Sequence, residues 1–532
     1  MKAPAKAKPI DDIRSYIAAL DLNGELHRVK TEVDWKFELC HVSKVNEEQK
    51  GPALLYENVK GYDIPVFTSA FTTSRRLAIA LEQDPSLSMS QLSKKWMELT
   101  TKTMVKPVFV DNPEVKENII DGDDVDINMF PSPWFYPDDG GRFFVTSGFL
   151  VTQDPDTGWT NLGTYRAQVL GKNILGSQII KGKHGDMHMK KYQERGELMP
   201  AAYVVGTDPV LFLAGSTLVS AQVDEYEVAG SLRGKPVKVF KSDLTGLTLP
   251  ANAEIIAEGW IDPNELMDEG PFGEYTGYYS GNKGKDYPKP VLRIARILHR
   301  NKPVMWATTV GKPINDIHMI QSLNRTATLW HDLETMKVPG IQSVYIPPEA
   351  CGRFWVVVSV KQMYPGHSNH VGNAVISTTT GHYGVKGVIV VDHDIEADDW
   401  DRVWWALATR FDPKRSAQII DRGRSTPLDP GLPIEARDIT SRIILDACTP
   451  YEWANKPNEI FMDRTVLQKV SDRWNEYGFP GTSPVAGMIN RLTRPEVKKA
   501  KPEAQKAKPE AKKAKPPVKK AKPAAKKAKS RK

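Results

Sequence analysis

A mixed α/β fold in about three domains is predicted by three features of this sequence: its length, alternating helix and strand patterns towards both ends, and a β-rich middle broken by Gly and Pro. At 532 residues the chain exceeds the roughly 250–300 residues at which a single hydrophobic core stops growing. Near the N-terminus, Asp11 is placed to cap a short amphipathic helix. Its apolar residues Ile13, Ile17 and Leu20 recur at spacings of four and three, which puts them on one face. Towards the C-terminus, the apolar run Gly387-Val388-Ile389-Val390-Val391-Asp392 ends in an acid. It is followed from Asp399 to Arg410 by a helical pattern carrying Trp400, Val403, Trp404 and Leu407. Strand, acidic turn and helix in that order predict a parallel α/β unit.

The middle reads differently. Phe143-Phe144-Val145-Thr146, Ala201 to Val205, Pro236 to Phe240 and Pro303 to Ala307 are short β-rich runs, the pattern of a barrel or sandwich of largely antiparallel strands. The expected division is an N-terminal α/β domain (1–125), a β domain (126–315), a linker helix (316–336), a C-terminal α/β domain (337–490) and a basic tail (491–532).

Charge is segregated. The formal net charge is +7, yet residues 498–532 hold 16 Lys or Arg against only Glu503 and Glu510, leaving 56 basic and 63 acidic residues before them. The body is therefore mildly acidic. The tail repeats Lys-Ala-Lys-Pro, as at Lys506 to Pro509 and Lys513 to Pro516. Frequent proline and nothing apolar to bury predict disorder there. Such a polycation suits anionic partners, but the body shows no basic stripe or aromatic platform, so nucleic acid is expected at most through the tail. No window has the ~18–20 apolar residues of a membrane span, and the N-terminus lacks the apolar stretch of a secretory signal. Cys40, Cys351 and Cys448 are scattered and form no CxxC pair, which argues against a disulfide framework or a structural zinc site. A cytoplasmic setting is expected.

Glu269-Gly270-Pro271-Phe272-Gly273-Glu274-Tyr275 carries the strongest chemical signal. Two carboxylates five residues apart share a face in neither helix nor strand, but an irregular Gly-Pro-aromatic-Gly turn can aim both into one site. Upstream, Trp159-Thr160-Asn161-Leu162-Gly163-Thr164-Tyr165-Arg166 offers an amide oxygen and a guanidinium fork. His184 and His188 stand four apart, with Gly185 weakening any helix between them and His188 expected at the surface. Asp224-Glu225-Tyr226-Glu227-Val228-Ala229-Gly230 adds acids. Asn, His and Glu donors suit a hard or borderline dication rather than a thiolate-loving one. GxGxxG, GxxxxGK[ST] and GxSxG motifs do not occur.

The ordered set Asn-Leu-Gly-x-Tyr-Arg, His, Glu-Tyr-x-x-Ala-Gly-x-Leu-Arg-Gly and Glu-Gly-Pro-Phe-Gly-Glu resembles the UbiD family of reversible decarboxylases over residues 10–480. The resemblance implies prenylated FMN as cofactor and a middle split β-barrel that binds it. It implies Asn161, His184 and Glu225 as ligands of a divalent ion bridging to the flavin phosphate, Mn²⁺ first with Mg²⁺ or Fe²⁺ as alternatives. It further implies a K⁺ site at the Trp159 backbone, a catalytic trio Arg166, Glu269 and Glu274, and further flavin contacts at Thr146, Lys183, Ser216, Thr217 and Lys386. Implied partners are an aryl or unsaturated carboxylate and CO₂, with a flavin prenyltransferase to supply the cofactor. Homodimers or homohexamers associate through the C-terminal domain in such proteins. Loss of CO₂ from an sp² carbon leaves a carbanion that no ordinary side chain delocalises, which fits the need for a cofactor. Two other readings remain open from the residues alone: a flavin-free metal-dependent hydrolase using Asn161, His184 and Glu225, and a scaffold or nucleic-acid-binding protein led by its tail.

Overall fold

The N-terminal helix spans Ile13–Leu22 and buries Ile13, Tyr16, Ile17, Ala19 and Leu20, the face predicted from spacing. Its cap is Asp12 rather than Asp11, because Asp12 completes a reciprocal capping box with Ser15. The computed structural model describes residues 9–217, 219–279 and 288–493. The tail expected to be disordered lies, from residue 494 onward, outside the described residues. The chain divides into two compact units, Met1–Pro457 and Asn458–Lys532. In the second, the described residues form helices Arg464–Asp472 and Val485–Leu492, and the Met462 N–H donates to the Leu492 carbonyl at 2.8 Å.

The first unit contains four sheets. An N-terminal sheet runs Leu26–Val29, Ala53–Tyr56, Val66–Thr68, Met305–Trp306. The last strand departs from the expectation that the run 303–307 adds to the middle β-sheet. Met305 and Trp306 pair in parallel with Val66 and Phe67, and an apolar run reads the same whichever sheet accepts it. The largest sheet has nine strands, paired antiparallel throughout, in the order Phe143–Val145, Ala167–Gly171, Ile174–Ser177, Pro288–His299, Ile255–Asp268, Met199–Val205, Gly148–Gln153, Thr160–Gly163, with Asn118–Asp121 off the path. Its ends do not pair with each other, so the expected barrel is an open one. Lys238–Lys241 belongs instead to a small sheet with Thr248–Pro250 and Val108–Phe109. The fourth sheet, Ile341–Tyr345, Trp355–Val360, Gly387–Asp392, Ile439–Ala447, Ala417–Arg424, is parallel at its centre and antiparallel at both edges. Helix Trp400–Thr409 packs with Val403 and Ala406 inward and leaves Trp404 64% exposed. Trp404 is thus not the core residue its spacing suggested.

Two devices fix the N-terminal sheet against the middle one. Tyr16, Phe67, Phe71, Phe212 and Trp306 form one aromatic cluster, the Phe212 and Trp306 centroids 4.9 Å apart. Beside it, buried Glu254 accepts two bonds from Arg14, both 2.7 Å, and one from Arg300 at 3.2 Å. Removing this carboxylate would leave Arg14 only backbone carbonyl acceptors, while Arg300 would keep Asp12 at 2.8 Å. The linker helix Asp316–Thr335 is anchored by Asp316, whose buried carboxylate accepts from the Ala70 and Phe71 N–H groups and the Thr308 hydroxyl.

Close to that anchor lies a second buried carboxyl. Glu47 has the Ser69 hydroxyl at 2.9 Å and the Thr309 hydroxyl at 2.7 Å. Burial, reinforced by Asp316, pushes its pKa up to about 8. The fold holds this proton more tightly than the unfolded chain does. Its stabilising contribution is therefore complete below the ordinary value of 4.5 and drains away as pH rises towards about 8. Glu47→Gln keeps the hydrogen-bonding shape without the titration. Urea midpoints of variant and wild type should stay together near pH 5 and separate in the variant's favour by pH 8.5; an unchanged gap would mean that Glu47 is already ionised in the fold.

Candidate active site

Arg166 stands in the turn between strands Thr160–Gly163 and Ala167–Gly171, half-buried. Its Nε and Nη2 donate to the two oxygens of Glu269 at 2.8 and 3.0 Å, and its Nη1 donates to Glu274 at 2.7 Å. The two carboxylates five residues apart are thus aimed at one guanidinium. Burial opposes the charge on Arg166, but Glu274 and Glu269 outweigh it and raise its pKa above the ordinary arginine value. Phe272, from the turn between the acids, lies beneath the guanidinium at 4.5 Å and packs on Phe143.

The turn is held from outside. Asp139, 4% exposed, accepts from the Gly273 N–H at 2.9 Å, the Tyr136 N–H at 3.0 Å and the Tyr279 hydroxyl at 3.0 Å. Gln168 accepts from the Gly270 N–H at 2.6 Å, and Gly140 donates to the Pro271 carbonyl at 2.7 Å. Gly140 must be glycine, because a Cβ there would fall 1.8 Å from the Gly270 carbonyl oxygen. Lys289 also lies in the field of Glu269 and Glu274, and burial lowers its pKa. Asp139, Gln168 and Lys289 were not legible as site residues in the sequence, because each reaches the turn only through tertiary contacts.

Asn161, His184 and Glu225 come together beside this turn. The Asn161 Oδ1 lies 3.2 Å from the His184 Nδ1, and Glu225 accepts from the Leu162 N–H at 3.2 Å. Glu225 opens the helix Glu225–Arg233 and is 2% exposed. Burial pushes its pKa up to about 8, against the pull of two backbone N–H groups. His184 begins the helix His184–Arg195. Burial, then Lys183, keeps its imidazole on the neutral side. The glycine expected to weaken this helix is needed in it: a Cβ on Gly185 would meet the Tyr165 ring at 3.0 Å. His188 is not at the surface as expected. It is fully buried, its Nδ1 is 3.0 Å from the Thr152 hydroxyl, and burial depresses its pKa to about 4. Trp159 explains this, since its indole meets His184 and His188 edge-on at 4.8 and 4.9 Å.

The looser candidates are placed as follows. The Trp159 carbonyl accepts from the Asp154 N–H at 2.8 Å. Ser216 and Thr217 follow the helix Pro209–Gly215 and turn their hydroxyls back on its Phe212 and Leu213 carbonyls. A Cβ on Gly215 would lie 3.2 Å from the Leu162 carbonyl, so this helix end sits against the Asn161 strand. The Thr146 hydroxyl accepts from the Thr308 N–H at 3.0 Å. Lys386 pairs with buried Asp429 at 2.6 Å and, among the described residues, makes no contact with the Asn161 group.

Residues 17–96, 107–313 and 318–447 match, in turn, the N-terminal, Rift-related and C-terminal domains of 3-octaprenyl-4-hydroxybenzoate carboxy-lyase (UbiD). Among solved structures, the UbiD-class enzyme HmfF from Pelotomaculum thermopropionicum in complex with FMN is similar with a TM-score of 0.77 and 28% identity, over 85% of this chain and 97% of its own. The vanillic acid decarboxylase of Sedimentibacter hydroxybenzoicus in open form gives 0.79 and 28%, over 89% and 100%. An evolved dimeric form of HmfF in complex with prFMN gives 0.73 and 28%, over 84% and 97%. With all three domains matched in order, and with one guanidinium bound by both acids of the Glu-Gly-Pro-Phe-Gly-Glu turn, the chain belongs to the UbiD family of carboxy-lyases.

Proposed function

We propose that this chain is a reversible, non-oxidative decarboxylase of an aromatic or α,β-unsaturated carboxylic acid, using prenylated FMN and a divalent cation, with Glu274 as proton donor. The observation that carries the reading is the binding of Arg166 by Glu269 and Glu274 in the plane of its fork. The residues fit the cofactors. Asn161, His184 and Glu225 offer one amide oxygen, one imidazole nitrogen and one carboxylate, a donor set for a hard or borderline dication. Glu225 is a buried carboxyl whose ionised form lacks a countercharge, as its raised pKa records. A dication there would supply it. Prenylated FMN, when bound, supplies the electron sink that decarboxylation at an sp² carbon requires.

The residues of the chain do the rest. Three of the five guanidinium N–H groups of Arg166 are committed to the two acids, which leaves one on each terminal nitrogen to orient a substrate carboxylate. Glu269 takes two of the three bonds and Glu274 takes one. Of the bonds from Arg166, protonating Glu274 therefore weakens one where protonating Glu269 weakens two. That difference makes Glu274 the carboxyl able to carry a proton to the carbon that CO₂ leaves, and Glu269 the positioning residue that keeps Arg166 aligned.

Glu274→Gln should lower turnover and product H/D exchange by at least about 100-fold while the protein still purifies with its flavin absorption. Wild-type exchange rates in that variant would move the donor elsewhere. Glu225→Ala should abolish retention of a divalent ion, read by elemental mass spectrometry on the purified holoprotein, whereas Glu227→Ala should leave it intact. Metal retained by Glu225→Ala would remove Glu225 from the ligand set.

A further inference from the structure

Next to the Glu274 turn lies a concentration of positive charge that the proposed reaction leaves unused. Arg325, on the linker helix Asp316–Thr335, donates from Nη2 to the carbonyls of Thr380 at 3.3 Å and Tyr383 at 3.4 Å, while its buried Nε has no partner. Arg353 stacks between two rings, 5.7 Å from Tyr275 and 5.3 Å from Tyr383. Its Nε is also buried and unpartnered. Arg424 lies 4.7 Å from the Tyr383 ring and is exposed to solvent. From the middle domain, Lys183 feels the charges of Arg353, Arg325 and Arg424. None of the four has a carboxylate within ion-pair distance among the described residues.

The cluster is costly as it stands. Burial, then the neighbouring Arg353, depresses the Arg325 pKa to about 9, far below the ordinary guanidinium range. Four like charges gathered from three parts of the chain persist only where something repays their repulsion. Tyr275, 6% exposed, adds a buried hydroxyl with no hydrogen-bond partner. Tyr275 follows Glu274 in sequence, and its phenol feels Arg353 and Arg325 on one side and Glu274 on the other. It is the wall shared by the acid turn and the basic cluster. Stacked guanidinium forks with free N–H groups recognise planar or tetrahedral oxyanions.

We propose that Arg325, Arg353 and Arg424, with the Tyr275 hydroxyl, bind a second oxyanion carried by the substrate, a carboxylate or a phosphate, so that the acid turned over carries at least two negative charges. The inference rests on the reading above only in taking the first carboxylate to lie at Arg166. The test uses the full-length protein without turnover. Binding of benzoate and of three dianions, isophthalate, terephthalate and the phosphodiester 3-carboxyphenyl methyl phosphate, is measured by titration calorimetry for wild type, Arg325→Gln and Arg424→Gln. At least one dianion should bind wild type ten or more times more tightly than benzoate. Both variants should bring that dianion to within about threefold of benzoate, with benzoate itself unchanged and flavin retention of the holoprotein intact. Which dianion wins separates carboxylate from phosphate. Equal binding of benzoate and every dianion by wild type would overturn the proposal. So would variants that keep the preference, or variants that lose flavin and inorganic phosphate binding instead, which would give the cluster to the cofactor. Arg424, exposed and joined to no buried carbonyl, keeps the test valid should Arg325→Gln not fold. Because these are equilibrium measurements, a Glu274→Gln variant with normal exchange would refute the proton donor and leave the dianion preference standing.

Discussion

The charge on Arg166 is the constraint around which this site is arranged. A guanidinium withdrawn from water needs counterions, and here both come from a single turn, Glu269 and Glu274. One carboxylate would balance the charge and leave an inert ion pair. Two, with Lys289 in their field, leave Glu269 held by two of the Arg166 bonds and Glu274 by one, the asymmetry on which the proposed proton donor rests. Because the pairing is geometric, the turn cannot be loose. Asp139 holds its middle, Gln168 and Gly140 hold its start, and Phe272 closes the face of the guanidinium. An error of an ångström in any of these would reach the reacting atoms directly.

How much of this was legible in the sequence follows from how locally each feature is encoded. The acid turn was, since six consecutive positions contain both carboxylates and the glycines that bend the backbone between them. The central strand Gly387–Asp392 and the linker helix Asp316–Thr335 were also readable from periodicity. Asp139 was not, because it meets Gly273 across 134 positions and sits in a motif of its own, Asp138-Asp139-Gly140-Gly141, that signals only a turn. Arg325, Arg353 and Arg424 were invisible for a related reason: each comes from a different element, and alone each is an ordinary surface residue.

The misreadings share a cause. The run 303–307 was given to the middle sheet and His188 to the surface because local pattern records what a segment can do, not what it meets. Trp306 found Phe67, Phe71 and Phe212. Gly185, read as a helix breaker, turned out to be the clearance for Tyr165, and the helix it permits carries His188 under Trp159. In the helix a tertiary contact outweighed a glycine propensity worth about 1 kcal/mol.

The two charged regions flanking Tyr275 also bear on how a substrate is held. A carboxylate approaching Arg166 would be drawn by the guanidinium and by Lys289 and repelled by Glu269 and Glu274. Attraction at that point alone is weak. On the proposed reading a basic cluster beside Tyr275 would change the balance, because it would bind an anion without competing for the proton assigned to Glu274. Binding energy gathered away from the reacting carbon can then press the departing carboxylate into a place where its own charge is poorly tolerated. Loss of that charge as CO₂ leaves relieves the repulsion, which is how remote binding is converted into rate.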